Sequence, residues 1–273
     1  MSKIFEYIGL LSLTCFSFFV TEKTSIVAKN MDEIMISIKR NYLEYENKPI
    51  DSIIKNKFIT IGYCGRTVDV NKSYFEMKKK GTYDDNLYQY KYIYPNISLN
   101  NNYDKYIISG SKYKNNIYIL IILNENNKYL LNDYKFINYN FIVNKTFYLN
   151  NINLINKLII NNNSILLEET DFKAYKKISK SYKKYSNHTI YCYNNSFNDE
   201  YLELCSLNKS GTIGKIDVYS ENYLLHLKRN LKKGNFYNFT LNKELINSID
   251  TLDAYLEQRG IEKSNVDEKL AEC

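Results

Sequence analysis

Two histidines and five cysteines are this chain's whole supply of imidazole and thiol side chains, the groups best suited to metals or nucleophilic chemistry. His188 lies between Asn187 and Thr189, just before a strand pattern; His226 lies mid-helix between Leu225 and Leu227. They do not form the H-x3-H pair that sets two imidazoles on one helix face around an ion. Each is therefore expected to be structural or solvent-facing. The cysteines, Cys15, Cys64, Cys192, Cys205 and Cys273, follow no zinc or redox spacing. A Cys192–Cys205 bridge is open to them, but buried free thiols acting as small hydrophobes are the expected state. Asp84-Asp85 could offer two carboxylates to a cation, yet the pair falls in a loop pattern and reads as a solvated turn. A G-x-S-x-G elbow and a phosphate-binding glycine loop are both missing from the sequence. Any chemistry must then come from carboxylates and amides held at the ends of regular elements.

Those elements are clearest between Phe141 and Thr170. Phe141-Ile142-Val143 is a short apolar run, as in a strand covered on both faces. Leu154, Ile155, Leu158 and Ile159 mark one helix face. Asn161 to Asn163 end that helix and Ile165-Leu166-Leu167 begin a second strand. A strand, helix and strand within about 30 residues form a βα crossover unit. Ile117 to Leu123, the most apolar run outside the N-terminus, predicts a central strand ended by Asn124-Glu125-Asn126-Asn127, with a short helix over 128–138. After the crossover come a lysine-rich helix (172–185), a strand (189–193), a helix (198–207), a strand (212–218), a helix capped by Gly234 (223–231), a strand (236–241), a helix (243–259) ended by Gly260, and a last short strand and turn.

The first 115 residues read differently. Tyr7 to Val20 is uncharged and apolar, short for a full span and suited to a signal peptide or signal-anchor. A lipoprotein site at Cys15 is disfavoured, because Thr14 precedes it and the apolar run continues past it. Asn30-Met31-Asp32-Glu33 is a helix start with acids in the first turn, and residues 24–47 read as a juxtamembrane helix or stalk. Two β-rich runs flank Gly62-Tyr63-Cys64-Gly65 and suggest a hairpin. A helix then runs from Asn71 to near Gly81. Further strands are expected at 91–94 and 106–109.

Composition sets the outer limits. The 273 residues include 28 Tyr, no Trp, 9 Gly and 2 Pro, and Asn, Lys and Ile recur throughout; codon bias toward A and T accounts for that pattern. The net charge of +7 is diffuse and lysine-based. It suits an anionic surface such as an envelope polymer or phospholipid heads. No arginine stripe points to nucleic acid.

The order of elements resembles one known family. FIVNKTFYLNNINLINKLIINNNSILLEET resembles the second strand and following helix of the NodB-type polysaccharide deacetylases, where the strand reads roughly T-F-F-V and the helix leads to a G-H-E-I-G-N-H-T pattern. KKGNFYNFTLNKELINSIDTLDAYLEQRGIEKSNVDEKL resembles that family's closing strand, helix and terminal segment. The resemblance covers about 116–273. It implies an α/β fold, an irregular (β/α) barrel, here preceded by an N-terminal hydrophobic helix and a small α+β module. The expected divisions are 1–23 (signal-anchor or signal peptide), 24–115 (stalk and small module) and 116–273 (barrel).

The resemblance also implies where a divalent metal such as zinc and its acid and base would sit. This sequence departs from the motif at each place. The two aspartates after the first barrel strand, one a base and one a metal ligand, match Asn124 and Glu125. An amide cannot accept a proton near neutral pH. The two metal histidines match Glu169 and Lys173, and an ammonium has no lone pair for an ion. An Arg-Pro-Pro-Tyr-like run matches weakly at Tyr191-Cys192-Tyr193. The Leu-His pair that supplies the general acid matches Phe239-Thr240. The implied protein is a degenerate, inactive deacetylase-like domain with no cofactor of its own. It would be tethered to the membrane through residues 7–20 or secreted, and would meet a cell-envelope polysaccharide and no nucleic acid. Two alternatives remain: an active deacetylase with a carboxylate metal site at Glu125 and Glu169, and an unrelated envelope structural or adhesion protein with no barrel.

Overall fold

The computed structural model describes the backbone of residues 2–270, with side chains from residue 11 onward except that of Lys269. In chain order the elements are α1 (Ser2–Asn30), α2 (Glu33–Asn41), β1 (Ile53–Lys55), β2 (Phe58–Thr60), β3 (Gly65–Val68), α3 (Val70–Lys80), β4 (Tyr90–Ile93) and β5 (Tyr106–Ser109). The series continues with β6 (Asn116–Ile122), β7 (Asn140–Val143), α4 (Lys145–Asn150), α5 (Ile152–Ile160), β8 (Ser164–Glu168), α6 (Phe172–Tyr182), β9 (Tyr191–Asn194) and α7 (Asp199–Leu207). It closes with β10 (Thr212–Gly214), β11 (Val218–Tyr219), α8 (Tyr223–Asn230), β12 (Phe236–Thr240), α9 (Lys243–Gln258), β13 (Glu262–Lys263) and α10 (Val266–Lys269). The chain forms two compact units, 1–48 with 65–93, and 49–64 with 94–273.

The larger unit is built on one curled sheet in the order β1-β2-β5-β10-β9-β8-β7-β6-β12-β11, with β13 also on β6. Every pair is parallel except β1 with β2. Parallel strands need helical crossovers, so both faces are covered and the strands read as apolar runs. Alternation sorts the side chains. Ile117, Ile119, Ile121, Phe141, Val143, Ile165, Leu167 and Phe239 pack in the layer against the helices. Tyr118, Leu120, Ile142, Leu166, Tyr193, Ile213 and Phe236 fill the barrel interior, with Val266 and Leu270. Each such side chain contributes about 1.5–3 kcal/mol on burial. This is the expected irregular (β/α) barrel, and it removes the reading of an unrelated protein without a barrel.

Five local expectations are corrected. The barrel sheet reaches back before residue 116, since β1, β2 and β5 belong to it. The β-rich runs around Gly62 to Gly65 do not pair as a hairpin: β2 pairs with β1 and β5, whereas β3 pairs with β4. Gly62 has another reason to be glycine, because a Cβ there would lie 2.2 Å from the Ile50 carbonyl oxygen. The segment 212–218 is two short strands with different neighbours, and 128–138 holds only a 3-10 turn over Lys128–Asn132. Finally, Cys192 and Cys205 form a disulfide, and Cys64 is also disulfide-bonded.

The smaller unit pairs β3 with β4 antiparallel and packs Ile34, Ile38, Val68, Met77 and Tyr88 together. Asp32 caps α2 through Ile34 N–H, and α3 ends at Gly81 with φ 81°. Leu11, Leu13, Phe16 and Phe18 on α1 are exposed. Among the described residues no helix is long and apolar enough to cross a membrane.

Candidate functional site

A parallel barrel offers its chemistry at the carboxyl ends of its strands. Register puts Ile122, Ile142 and Leu166 in one row, with Thr240 beside Ile122. Asn124, which the resemblance matches to the family's base, lies two residues past Ile122. Its Oδ1 accepts the Asn126 N–H at 2.9 Å and its own N–H donates to Asn127 Oδ1 at 2.8 Å. Asn127 in turn donates to the Ile122 carbonyl at 2.9 Å. Asn124 therefore closes the turn that ends β6.

Glu125 follows Asn124 and is the carboxylate that the resemblance matches to the first motif. Lys128 holds it at 2.5 Å and Asn151 Nδ2 donates to it at 2.7 Å. The hydrogen-bonded ammonium of Lys128, then the Asn151 amide, lower its pKa. Its charge is thus already compensated by a neighbour that would repel a metal. Glu169 has a separate set of partners: it accepts the Ser196 hydroxyl at 2.7 Å and the Asn198 amide. Asn198 is itself the N-cap of α7. Lys173 is exposed on the first turn of α6. Between them Asp171 caps α6 through Ala174 N–H and pairs with Lys145 at 2.8 Å. The Lys145 contact, then the Ala174 bond, bring its carboxyl down to about 2. Thr240 is half-buried, and its carbonyl accepts the Tyr223 hydroxyl at 2.9 Å.

Neither histidine joins this end of the barrel through any of these contacts. His226 stacks on Tyr219 with ring centroids 3.3 Å apart, and burial lowers its pKa. His188 is exposed, with its backbone N–H donating to Ser186 Oγ at 3.1 Å. Cys192 in the Tyr191-Cys192-Tyr193 run is tied to Cys205. Among the described residues no three His, Cys, Asp or Glu side chains are grouped so that they could hold a metal ion. The donor set at the strand ends, an amide, a lysine-paired carboxylate, an amide-bound carboxylate and an ammonium, does not fit a divalent cation.

One residue escaped the motif comparison. Glu168 shares the parity of Leu166 and faces the interior row, opposite Tyr193 of β9. Burial raises its carboxyl pKa. Nearby, Asn238 is fully buried on β12; it donates to Tyr193 Oη at 3.4 Å and its Oδ1 has no partner. The period-two alternation of Ile165 to Glu168 is the signal that distinguishes Glu168 from its outward neighbour. These groups can bind through hydrogen bonds, but they supply neither a Lewis acid nor a base and acid pair.

No family model and no curated protein matches the sequence. Solved structures do match in shape. A CE4 family pseudoenzyme from Bacillus anthracis superposes with a TM-score of 0.64 at 20% identity, over 89% of this chain and 96% of that one. A mutant of that pseudoenzyme with restored enzymatic activity gives 0.64 at 19%, over 88% and 99%. The Bc1960 peptidoglycan N-acetylglucosamine deacetylase gives 0.50 at 9%, over 60% and 92%. With those likenesses and the strand order above, the chain has the fold of the CE4, NodB-type carbohydrate deacetylases, a scaffold shared by enzymes and pseudoenzymes.

Proposed function

We propose that this chain is a catalytically inactive, deacetylase-like protein that binds envelope glycan outside the cytoplasm. The observation that carries the reading is the state of the first strand end. Asn124 closes a backbone turn, and Glu125 is neutralised by Lys128 and accepts a hydrogen bond from Asn151. A hydrolytic water would need a metal to acidify it and a base to take its proton. Here the base position is an amide, one ligand position is an ammonium and the acid position is a threonine. A carboxylate metal site at Glu125 and Glu169 is disfavoured, since each carboxylate is held by its own partners.

The location rests on different support. Disulfides persist in oxidising compartments, and Cys192–Cys205 and Cys64 are bonded in this way. Exposed Leu11, Phe16 and Phe18 on α1 favour an apolar surface as its neighbour.

The test incubates the purified chain with N-acetylglucosamine oligomers and zinc or cobalt, and measures released acetate and bound metal. Acetate at the level of the protein-free control, with no stoichiometric metal, is expected. Metal-dependent acetate release refutes the inactive reading. Failure of the same oligomers to bind in calorimetry refutes glycan as the ligand.

A further inference from the structure

We propose that a cleft at the amino end of β6, lined by Tyr63, Tyr113, Asn116, Glu262, Ser264 and Glu268, is a second saccharide site, at the opposite end of the barrel from the degenerate motif positions. Asn116 begins β6 and Asn124 follows its end, so the two places lie about 26 Å apart along the strand at ~3.3 Å per residue. The proposal deepens the glycan reading and rests on it for the choice of sugar.

Three features lead to this ligand. The cleft encloses about 440 Å³, within the roughly 300–1,000 Å³ of small-molecule sites. Tyr63 and Tyr113 stand with ring centroids 6.4 Å apart at 43°, and Tyr113 is 49% exposed. Such rings offer an apolar face with a polar edge, which suits the C–H face of a pyranose. Exposed tyrosines alone would say little. Asn116, however, is only 4% exposed, and its Oδ1 lacks any partner while its Nδ2 donates to Tyr118 Oη at 3.1 Å. Native folds seldom leave a buried carbonyl unpaired, and a ligand hydroxyl at the cleft would satisfy it.

The rest of the wall decides the class. Glu262 and Glu268 have no ion-pair partner among the described residues, so they add acceptors for vicinal hydroxyls; Lys114, which also lines the cleft, offsets their charge, so the wall favours neither an anionic nor a cationic ligand. Lys112 sits 5.2 Å from the Tyr113 centroid on an exposed side chain, where a cationic ligand would meet repulsion. A neutral polyhydroxyl ring with one flat apolar side fits both conditions.

The experiment titrates the whole chain with N-acetylglucosamine hexamer, by calorimetry and by saturation transfer to the sugar protons. Saturable binding is expected, weakened about tenfold or more by Tyr113→Ala and by Tyr63→Ala, and largely kept by Tyr113→Phe. Unchanged urea midpoints certify that the variants fold. Binding that ignores both tyrosine substitutions but is lost in Glu168→Ala places the sugar at the barrel mouth. That result overturns the second site and leaves the glycan reading standing. Tyrosine-dependent binding of a lysine-rich peptide, with none of the hexamer, overturns the saccharide class. Absence of any hexamer binding removes both ideas, while the acetate assay still reports separately on inactivity.

Discussion

Removing the Cys192–Cys205 bridge tests the link between sequence, compartment and stability most directly. The bridge joins β9 to α7 across a sequence separation of 13. Closing a ring of about 14 residues costs the unfolded chain about 10 cal/mol/K, or about 3 kcal/mol at 25 °C. Both cysteines are fully buried, so Cys192→Ala with Cys205→Ala also leaves two sulfur-sized gaps, adding about 1 kcal/mol. Cys192 sits in the middle of the sheet, registered with Leu167 on one side and Thr212 on the other. The strand itself should therefore survive. With a urea slope of about 2 kcal/mol/M, the midpoint should fall by about 1.5–2 M. The double variant is a better probe than a reductant, because reduction would also open the bond at Cys64. Urea unfolding followed by circular dichroism gives the midpoint, and thiol titration of the unreduced, denatured protein gives the pairing. Two reactive thiols from this pair, or a midpoint within about 0.3 M of the native chain, would refute the reasoning.

Asp267 is pushed up to about 7 by burial, with Oδ1 unpaired and Oδ2 accepting the Tyr182 hydroxyl. An acid whose folded pKa is raised binds more protons when folded, so stability falls as pH rises from about 4 to about 7. Asp267→Asn should flatten that fall between roughly pH 4 and pH 7, and an unchanged slope counts against it. Lys128→Met should let the Glu125 carboxyl titrate nearer its ordinary range while leaving the urea midpoint essentially unchanged, because the pair is solvent-accessible; a carboxyl resonance that titrates as before contradicts this. Asn163 is buried, accepts Tyr139 N–H and donates to the Phe136 and Leu158 carbonyls at 3.0, 2.9 and 3.0 Å. Asn163→Ala should cost about 2–3 kcal/mol in urea unfolding, and a loss under about 0.5 kcal/mol would show that the network is dispensable.

What the sequence made legible follows from range. From residue 116 onward, apolar runs and helix faces alternate within short segments, and apart from 128–138 and the divided strand at 212–218 the strands and helices lie where those patterns place them. The failures come where pairing is distant. The strand at Phe58–Thr60 finds its parallel partner at Tyr106–Ser109, beyond the whole inserted segment 65–93. A run of three or four residues carries too little periodicity to reveal this. Around Gly62 the local signal was misleading: glycine there accommodates the backbone of residues 50–52 rather than a hairpin turn. The disulfide was hidden for a related reason, since cysteine pairing depends on folded distance and not on spacing. At the site, motif matching favoured Glu169, whereas strand alternation puts Glu168 in the barrel. The residue types were readable there, but which side of the strand each occupied had to come from the register.

On the proposed reading, the strand ends also explain how a loss of chemistry is tolerated. Asn124, Asn144 and Asn194 follow or end β6, β7 and β9, and each accepts a backbone N–H of its own loop, from Asn126, Phe147 and Asn198 at 2.9, 2.8 and 3.0 Å. An aspartate would accept the same bonds. Asn124→Asp should therefore leave the fold intact and yet release no acetate. On the proposed reading it would supply a base without an ion, because Lys128 still pairs with Glu125 and Lys173 still occupies the position matched to a ligand. The barrier to activity thus lies in donor chemistry rather than in the shape of the barrel. Loops closed by short polar side chains hold the scaffold without a metal, so on the proposed reading the barrel can be retained after the hydrolytic groups have gone.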